Sequence, residues 1–180
     1  MGAVLNNNAS GQDGDPMETA LSNMAREAGL IPEQVRLQSP RKGEIPFDSR
    51  RKLMTTVNEI EGHDIVFVKG AVDVLLKKCT RLANPAAGQG TGLAGQRPEA
   101  AIPCRTLSSS DRQRILDQNS RWSARGLRVL AFACRPFNEE GKEHGNSGLA
   151  GAKAGNSQER SSLSGRLEDN LVFLGLTAMM

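Results

Sequence analysis

Two kinds of hydrophobic spacing alternate along the chain, and each predicts a different element. In "DPMETALSNMAREAGL" apolar residues recur every three or four positions, which predicts a helix with one apolar face. Asp15 suits its N-cap, Pro16 its first position and Glu18 the third position of a capping box. Gly29 follows as a C-terminal stop. The pattern and the end residues therefore agree on one helix.

The segment "EIPFDSRRKLMTTVNEIEGHDIVFVKG" predicts two antiparallel strands joined by a turn. Residues 53–60 are β-branched and partly alternating, and residues 65–68 form a short apolar run. Between them "EGHD" is typical of a hairpin turn. A helix is predicted next, because its apolar residues have the spacing i, i+3, i+4, i+7: Val72, Leu75, Leu76 and Cys79.

The rest of the chain alternates between patterned and unpatterned segments. Residues 83–104 and 138–167 are rich in Gly, Ala, Ser and Pro, which predicts two flexible loops inserted in the fold, and the start up to Gly14 is predicted to be loose. "SSSDRQRILDQNSRWSARG" predicts a serine-capped helix, while "LRVLAFACRPF" and "LVFLGLTAMM" predict buried strands. The hairpin favours antiparallel pairing, so the predicted fold class is α+β.

Composition narrows the function classes. The 180 residues suffice for one well-buried domain or two small ones. The net charge of +3 is spread along the chain, and with five Phe, one Trp and no Tyr no stacking platform for a nucleic acid is expected. Three cysteines without a CxxC motif and two histidines argue against a disulfide framework or a metal site.

The glycine motifs of the common nucleotide-binding folds do not occur in the sequence context that those folds need. There is no GxxxxGK[ST], and no GxGxxG opens a helix after a strand, so a nucleotide would be bound by side chains in a shallow pocket. A stand-alone hydrolase is the weakest hypothesis, since no nucleophile and base can be paired. A non-catalytic α+β module that binds protein or RNA through the basic turn "SRRK" is the alternative. The local pattern allows Lys69 to be a surface lysine or to point into a site.

Four segments in a fixed order carry a family resemblance: "GDPMETAL", "PFDSRRKLMTTV", "FVKGAVDVLLKKCT" and "RGLRVLAFA". Together they resemble the nucleotide-binding domain of a type II P-type cation-transporting ATPase, most closely the calcium-transporting branch. The resemblance covers residues 13–82, 105–137 and 168–180 and leaves out both Gly-rich segments. It implies an antiparallel sheet flanked by helices, and a single domain over residues 1–180 excised from a larger pump.

The resemblance also implies a function. Such a domain holds the adenosine of MgATP and presents the γ-phosphate to an aspartate in a DKTGT motif on a separate phosphorylation domain. No DKTGT occurs here, so this chain is not expected to turn over alone. Its implied partners are an adenine nucleotide and the phosphorylation and actuator domains of the same parent chain. Magnesium would arrive with the nucleotide and through the phosphorylation domain. The isolated domain is expected to be monomeric, and to be a cytoplasmic part of an integral membrane protein.

Specific residues inherit roles from the matching motifs. Phe47 would stack on adenine, and an aromatic ring face suits a base. Lys52 would approach the phosphates as a point charge. Lys69 would lie deep in the adenosine pocket, with Gly70 allowing a close backbone approach. Each also has a structural interpretation, as a core phenylalanine, a solvated turn lysine, a strand-end lysine and a turn glycine.

The remaining assignments compete more closely with structural roles. Glu18 would lie near the adenine edge, although a capping box alone explains a glutamate there. Arg128 would meet phosphate or ribose, and Leu130 would touch the base from the same strand face. Some family members carry an arginine two residues after the stacking phenylalanine, where this chain has Ser49. The neighbouring Arg50 points the other way on a strand, so the contact is not transferred to it.

Overall fold

A computed structural model describes residues 1–9, 15–84, 103–137, 165 and 167–180. Residues 10–14 and most of the two segments predicted as flexible loops lie outside the described residues. The described part forms one seven-stranded sheet in the order β1-β2-β3-β6-β7-β4-β5. Neighbouring strands are antiparallel except for β4 and β7, which are parallel. The α+β prediction with a largely antiparallel sheet is therefore confirmed.

Within the described residues, five helices and seven strands have defined bounds. The helices are α1 (Gly2–Leu5), α2 (Pro16–Glu27), α3 (Pro32–Gln38), α4 (Val72–Lys78) and α5 (Ser109–Ser123). The strands are β1 (Arg41–Asp48), β2 (Leu53–Ile60), β3 (His63–Gly70), β4 (Cys79–Ala83), β5 (Cys104–Thr106), β6 (Arg128–Pro136) and β7 (Leu171–Met179).

The segment predicted as two strands forms three. β1 lies at the edge of the sheet, where a proline is tolerated because a strand there pairs on one side only; Pro46 lies within it. The predicted turn between β2 and β3 is shorter than expected: Glu61 and Gly62 alone form it, with φ of 49° and 80°. Two successive positive φ values are typical of the type I′ turn, whose twist matches a hairpin.

The prediction of a loose chain start is wrong for residues 1–9. Val4 and Leu5 of α1 are buried, and the Asn6 side chain donates to the carbonyls of Met54 at 2.9 Å and Phe67 at 2.8 Å. A run of asparagines is typical of loops because its side chains bond to backbone groups. Here those groups belong to distant strands, so the segment is anchored to β2 and β3.

The sheet carries a hydrophobic cluster on each face. α4 and α5 cover one face, whose cluster includes Leu75 and Val68. The first three helices cover the other, through residues such as Leu5 and Phe67. Burial raises the pKa of the Cys79 thiol to about 12. Cys79 was predicted on the apolar face of the helix, but it is fully buried as the first residue of β4, just after α4 ends.

Candidate functional site

The lysine at the end of β3 points into the protein. Its side chain is only 9% exposed, on the sheet face covered by α2. The Lys69 ammonium donates to Glu18 Oε1 of α2 at 2.8 Å. A buried lysine without a partner would be strongly disfavoured, so this ion pair stabilises the charge in place. The pair also joins two elements that are 51 residues apart in sequence.

The carboxylate of Glu18 is used across the fold rather than at the helix end. Its Oε2 accepts from the backbone N–H of Asn8 at 3.1 Å, in addition to the Lys69 bond. The predicted N-cap is confirmed, because Asp15 Oδ1 accepts from Met17 N at 2.8 Å. The predicted capping box is wrong in its second half, since the tertiary partners take both glutamate oxygens.

Strand pairing surrounds Lys69 with residues from both neighbouring strands. Met54 of β2 and Phe132 of β6 are its register partners, and both are buried. Alternate residues of a strand share a face, so Leu130 and Arg128 lie on the same face farther along β6. Leu130 is half-buried and Arg128 is exposed. The structure thus brings four predicted residues to this face: Glu18, Lys69, Arg128 and Leu130.

Phe47 lies near the end of β1, at the edge of the same sheet. It is 60% exposed, within an irregular stretch of the β1–β2 pairing between Ile45 and Asp48. Strand spacing puts β1 about 10 Å from β3, across β2. An aromatic ring is thus displayed in solvent two strands away from the buried ammonium of Lys69.

The hairpin turn after Phe47 has a defined backbone. Asp48 Oδ1 accepts from the N–H groups of Arg50 at 2.7 Å and Arg51 at 3.2 Å. These backbone hydrogen bonds hold the pKa of Asp48 below its ordinary value. Asp48 therefore caps the turn, and Lys52 closes it with a φ of 56° and an exposed side chain. Ser49 is exposed at the tip.

Gly70 allows this turn to lie against β3. A Cβ atom at Gly70 would stand 2.1 Å from the carbonyl oxygen of Lys52, an impossible contact. The same carbonyl accepts from Ala71 N at 3.1 Å. Gly70 faces the side opposite to Lys69, since neighbouring strand residues alternate. The close approach that glycine permits is therefore made by the chain's own turn.

Sequence reasoning missed the group that anchors the turn from below. Arg51 is paired with Glu168, which is fully buried just before β7. Its Nη2 also donates to the carbonyls of Pro46 at 2.9 Å and Leu53 at 3.0 Å. Thr55 adds a 2.6 Å hydrogen bond to the Glu168 carboxylate. Arg51 is thus an internal brace of the hairpin, and only part of the basic "SRRK" turn is displayed to a partner.

No signal in the sequence connects these residues, because Arg51 and Glu168 are 117 positions apart. Among the residues that the structure describes, no group of His, Cys, Asp and Glu is arranged to hold a metal ion. Within the same residues, no helix is both long and apolar enough to cross a bilayer.

Comparison with known sequences places this arrangement in a family. The family described as "P-type ATPase, cytoplasmic domain N" matches residues 3–180. The chain belongs to this family. The match confirms the family that the four sequence motifs predicted, and the structure has the fold expected of a P-type ATPase domain N.

Curated relatives of this domain N are much longer proteins. "Calcium-transporting ATPase 1" of Lactococcus lactis is 32% identical over 167 residues, which cover 93% of this chain and 15% of the relative. "Calcium-transporting ATPase 1" of Bacillus cereus is 29% identical over 181 residues, covering 98% and 16%. "Cation-transporting ATPase pma1" of Synechocystis is 30% identical over 169 residues, covering 93% and 14%. The chain thus corresponds to a small part of each relative's length.

Proposed function

We propose that this domain N binds the adenosine end of ATP across the β1–β2 hairpin and the Lys69 face of β3. The observation that carries the proposal is the exposed Phe47, 60% accessible on a braced hairpin, two strands away from the buried Lys69–Glu18 pair. An exposed aromatic ring gains from covering by a flat base, since stacking buries apolar area on both partners. The bracing of the hairpin limits the entropy that binding must remove.

The ion pair offers a means of selecting adenine. Adenine presents an amino donor and ring-nitrogen acceptors, whereas guanine presents a carbonyl oxygen where adenine has its amino group. The Glu18 carboxylate would accept from the adenine amino group, and Lys69 would donate to a ring nitrogen. A guanine carbonyl facing Glu18 would place two acceptors together, which disfavours binding.

The exposed charged residues at the rim would contribute less to binding, through the phosphates, than the central residues contribute through the base. Lys52 and Arg128 are exposed, so their interactions with phosphate are weakened by water and salt. In the parent pump, this domain would present the γ-phosphate of MgATP to an aspartate on a separate phosphorylation domain. Magnesium would arrive bound to the nucleotide, and the phosphorylation domain would complete its coordination. Calcium is the proposed transported ion, because two of the relatives named above are called calcium-transporting ATPases.

The test is an amide NMR titration of the domain with AMP, ATP and GTP. We expect chemical-shift changes concentrated at the proposed contacts and larger for adenine than for guanine nucleotides; these contacts are Glu18, Phe47, Lys52, Lys69, Arg128 and Leu130. The amide of Gly70, which was also predicted as a contact, should respond as the chain neighbour of Lys69. Because recognition is assigned to the base, AMP should produce nearly the same pattern as ATP. An absence of shifts at millimolar adenine nucleotide would contradict the proposal, as would equal responses to ATP and GTP.

A further inference from the structure

A cavity lies between the N-terminal segment, α3 and the first two strands. Its volume is about 270 Å³, and Asn7, Arg36, Arg41 and Asn58 contribute to its lining. A water molecule occupies about 30 Å³ in the liquid, so the space exceeds one water several-fold. It is smaller than the pockets that hold drug-sized ligands, which fits an inorganic ion or a similarly small molecule.

Arg36 presents an unpartnered edge in this cavity. Its Nη1 donates to the carbonyl of Ala9 at 2.8 Å. Its Nε and Nη2 are buried and have no hydrogen-bond partner among the described residues. These two nitrogens form one side of the guanidinium, the geometry that binds two oxygens of a carboxylate or phosphate at once. A buried charged donor left without a partner is costly, so an acceptor is expected there.

The neighbouring acids are committed to other bases. Glu33, on the same helix, is paired with Arg26 at 2.7 Å, and Glu44 is paired with Arg41 at 2.7 Å. Burial, together with the positive charge of Arg41, lowers the pKa of Arg36, while the charges of Glu33 and Glu18 act in the opposite direction. Glu18 is itself paired with Lys69. The positive charge in the cavity is therefore undercompensated within the described part of the chain.

One acceptor in the same cavity also lacks a partner. Asn58 is 2% exposed, and its Oδ1 is buried and unbonded within the described structure. Its orientation is set by the amide nitrogen, which donates to the carbonyl of Ser39 at 3.1 Å. A ligand with two acceptor oxygens and one hydrogen-bond donor would therefore satisfy the two Arg36 nitrogens and Asn58 Oδ1.

We propose that this cavity is a binding site for a small oxyanion that carries a proton, of which monohydrogen phosphate is the simplest example. Two phosphate oxygens accept from Nε and Nη2 of Arg36, and the phosphate O–H donates to Asn58 Oδ1. Sulfate has the same shape and charge but no proton to donate at neutral pH. It would leave Asn58 Oδ1 unsatisfied, which gives the site a means of distinguishing the two anions.

The test is titration of the domain with inorganic phosphate and, separately, sulfate at constant ionic strength near pH 7.5. The Arg36 Nε–H and Asn58 side-chain amide NMR signals are followed. We expect a saturable response to phosphate and binding of sulfate weaker by about tenfold, the value of one neutral hydrogen bond. The midpoint temperature of thermal unfolding should rise with phosphate concentration, because a ligand that binds only the folded state stabilises that state.

Matched variants separate a site from general ion effects. Arg36→Met should abolish the saturable response, whereas Arg121→Met removes an exposed arginine of α5 and should leave it intact. Arg36→Lys keeps the charge without the two-nitrogen edge, and should weaken phosphate binding if the methionine variant does not fold. A linear response to phosphate, or the same binding in Arg36→Met, would overturn the site and leave a water-filled cavity. Equal affinity for sulfate would overturn the assigned contact to Asn58.

Discussion

The centre and the rim of the candidate site are built in opposite ways. At the centre, Lys69 is buried and paired with Glu18, so its side chain contributes to the fold as well as to any ligand. At the rim, Phe47 is exposed, while the hairpin beneath it is held by the buried pair of Arg51 and Glu168. Stability and the proposed recognition thus fall on the same residues at the centre and on different residues at the rim.

The strongest test of this division removes the anchor of the rim. Glu168→Gln should lower the free energy of unfolding by about 3 kcal/mol, because it leaves Arg51 without its carboxylate in a partly buried position. Urea unfolding measures the change. Asp169→Asn is the matched control, since Asp169 is adjacent but its side chain is 61% exposed, and it should change stability by less than about 0.5 kcal/mol. Similar losses in both variants would show that the brace contributes little.

At the centre, one substitution should affect both properties. Lys69→Met keeps an apolar stem but leaves Glu18 without its cation, so we expect a stability loss of about 1–2 kcal/mol. Adenine-nucleotide affinity should fall at least about tenfold, the effect of one charge-assisted hydrogen bond. Calorimetric titration with AMP provides the affinity. Lys42→Met, a change at an exposed and ion-paired lysine of β1, is the control. An unchanged affinity in Lys69→Met would remove this lysine from the site.

At the rim, a substitution should lower nucleotide affinity while leaving the stability of the domain nearly unchanged. Phe47→Ala removes the stacking surface, which contributes about 1–3 kcal/mol for a base on an aromatic ring. The free energy of unfolding should change by no more than about 0.5 kcal/mol, because Phe47 is mostly exposed. Leu37→Ala, at a leucine 83% exposed on α3, should change neither property. A Phe47→Ala domain that binds AMP normally would contradict the stacking assignment, and Phe47→Trp should preserve binding.

The smallest effects are expected from the exposed charges. AMP and ATP should bind the isolated domain with affinities within about threefold, because exposed ion pairs contribute less than about 1 kcal/mol. Lys52→Met should reduce ATP affinity slightly and leave AMP affinity unchanged. Arg50→Ala should weaken binding less than Lys69→Ala does. A strong preference for ATP over AMP, measured by the same titrations, would move the main recognition from the base to the phosphates.

Local patterns were sufficient for the elements whose signals lie within a few residues. The ends of α2, the serine cap of α5 and the apolar face of α4 were predicted because Asp15, Ser108 and Leu75 act on neighbours along the chain. β1 was missed because glycine and proline lie within it and hide a strand pattern. β4 was missed because its long-range partner is β7, whose first residue comes almost ninety positions later.

The candidate site divides in the same manner. Short motifs named Phe47, Lys69 and Glu18, whose residue types already suit a base and a nucleotide. Nothing local indicated that Glu18 would leave its helix cap for Lys69, or that Gly70 would receive the carbonyl of Lys52. Asn6 was also misjudged, since its contacts are with strands far along the chain.

The sequence by itself determined the fold class, most of the regular elements and the family, because spacing, capping and short motifs are encoded in neighbouring residues. Tertiary structure alone decided which charges are buried and with which partners. Arg51 became a brace and Lys69 an internal cation because folding brought carboxylates from distant segments to them. Burial of a charge is favourable only when its partner arrives in the same place, and that condition is met only in the assembled fold.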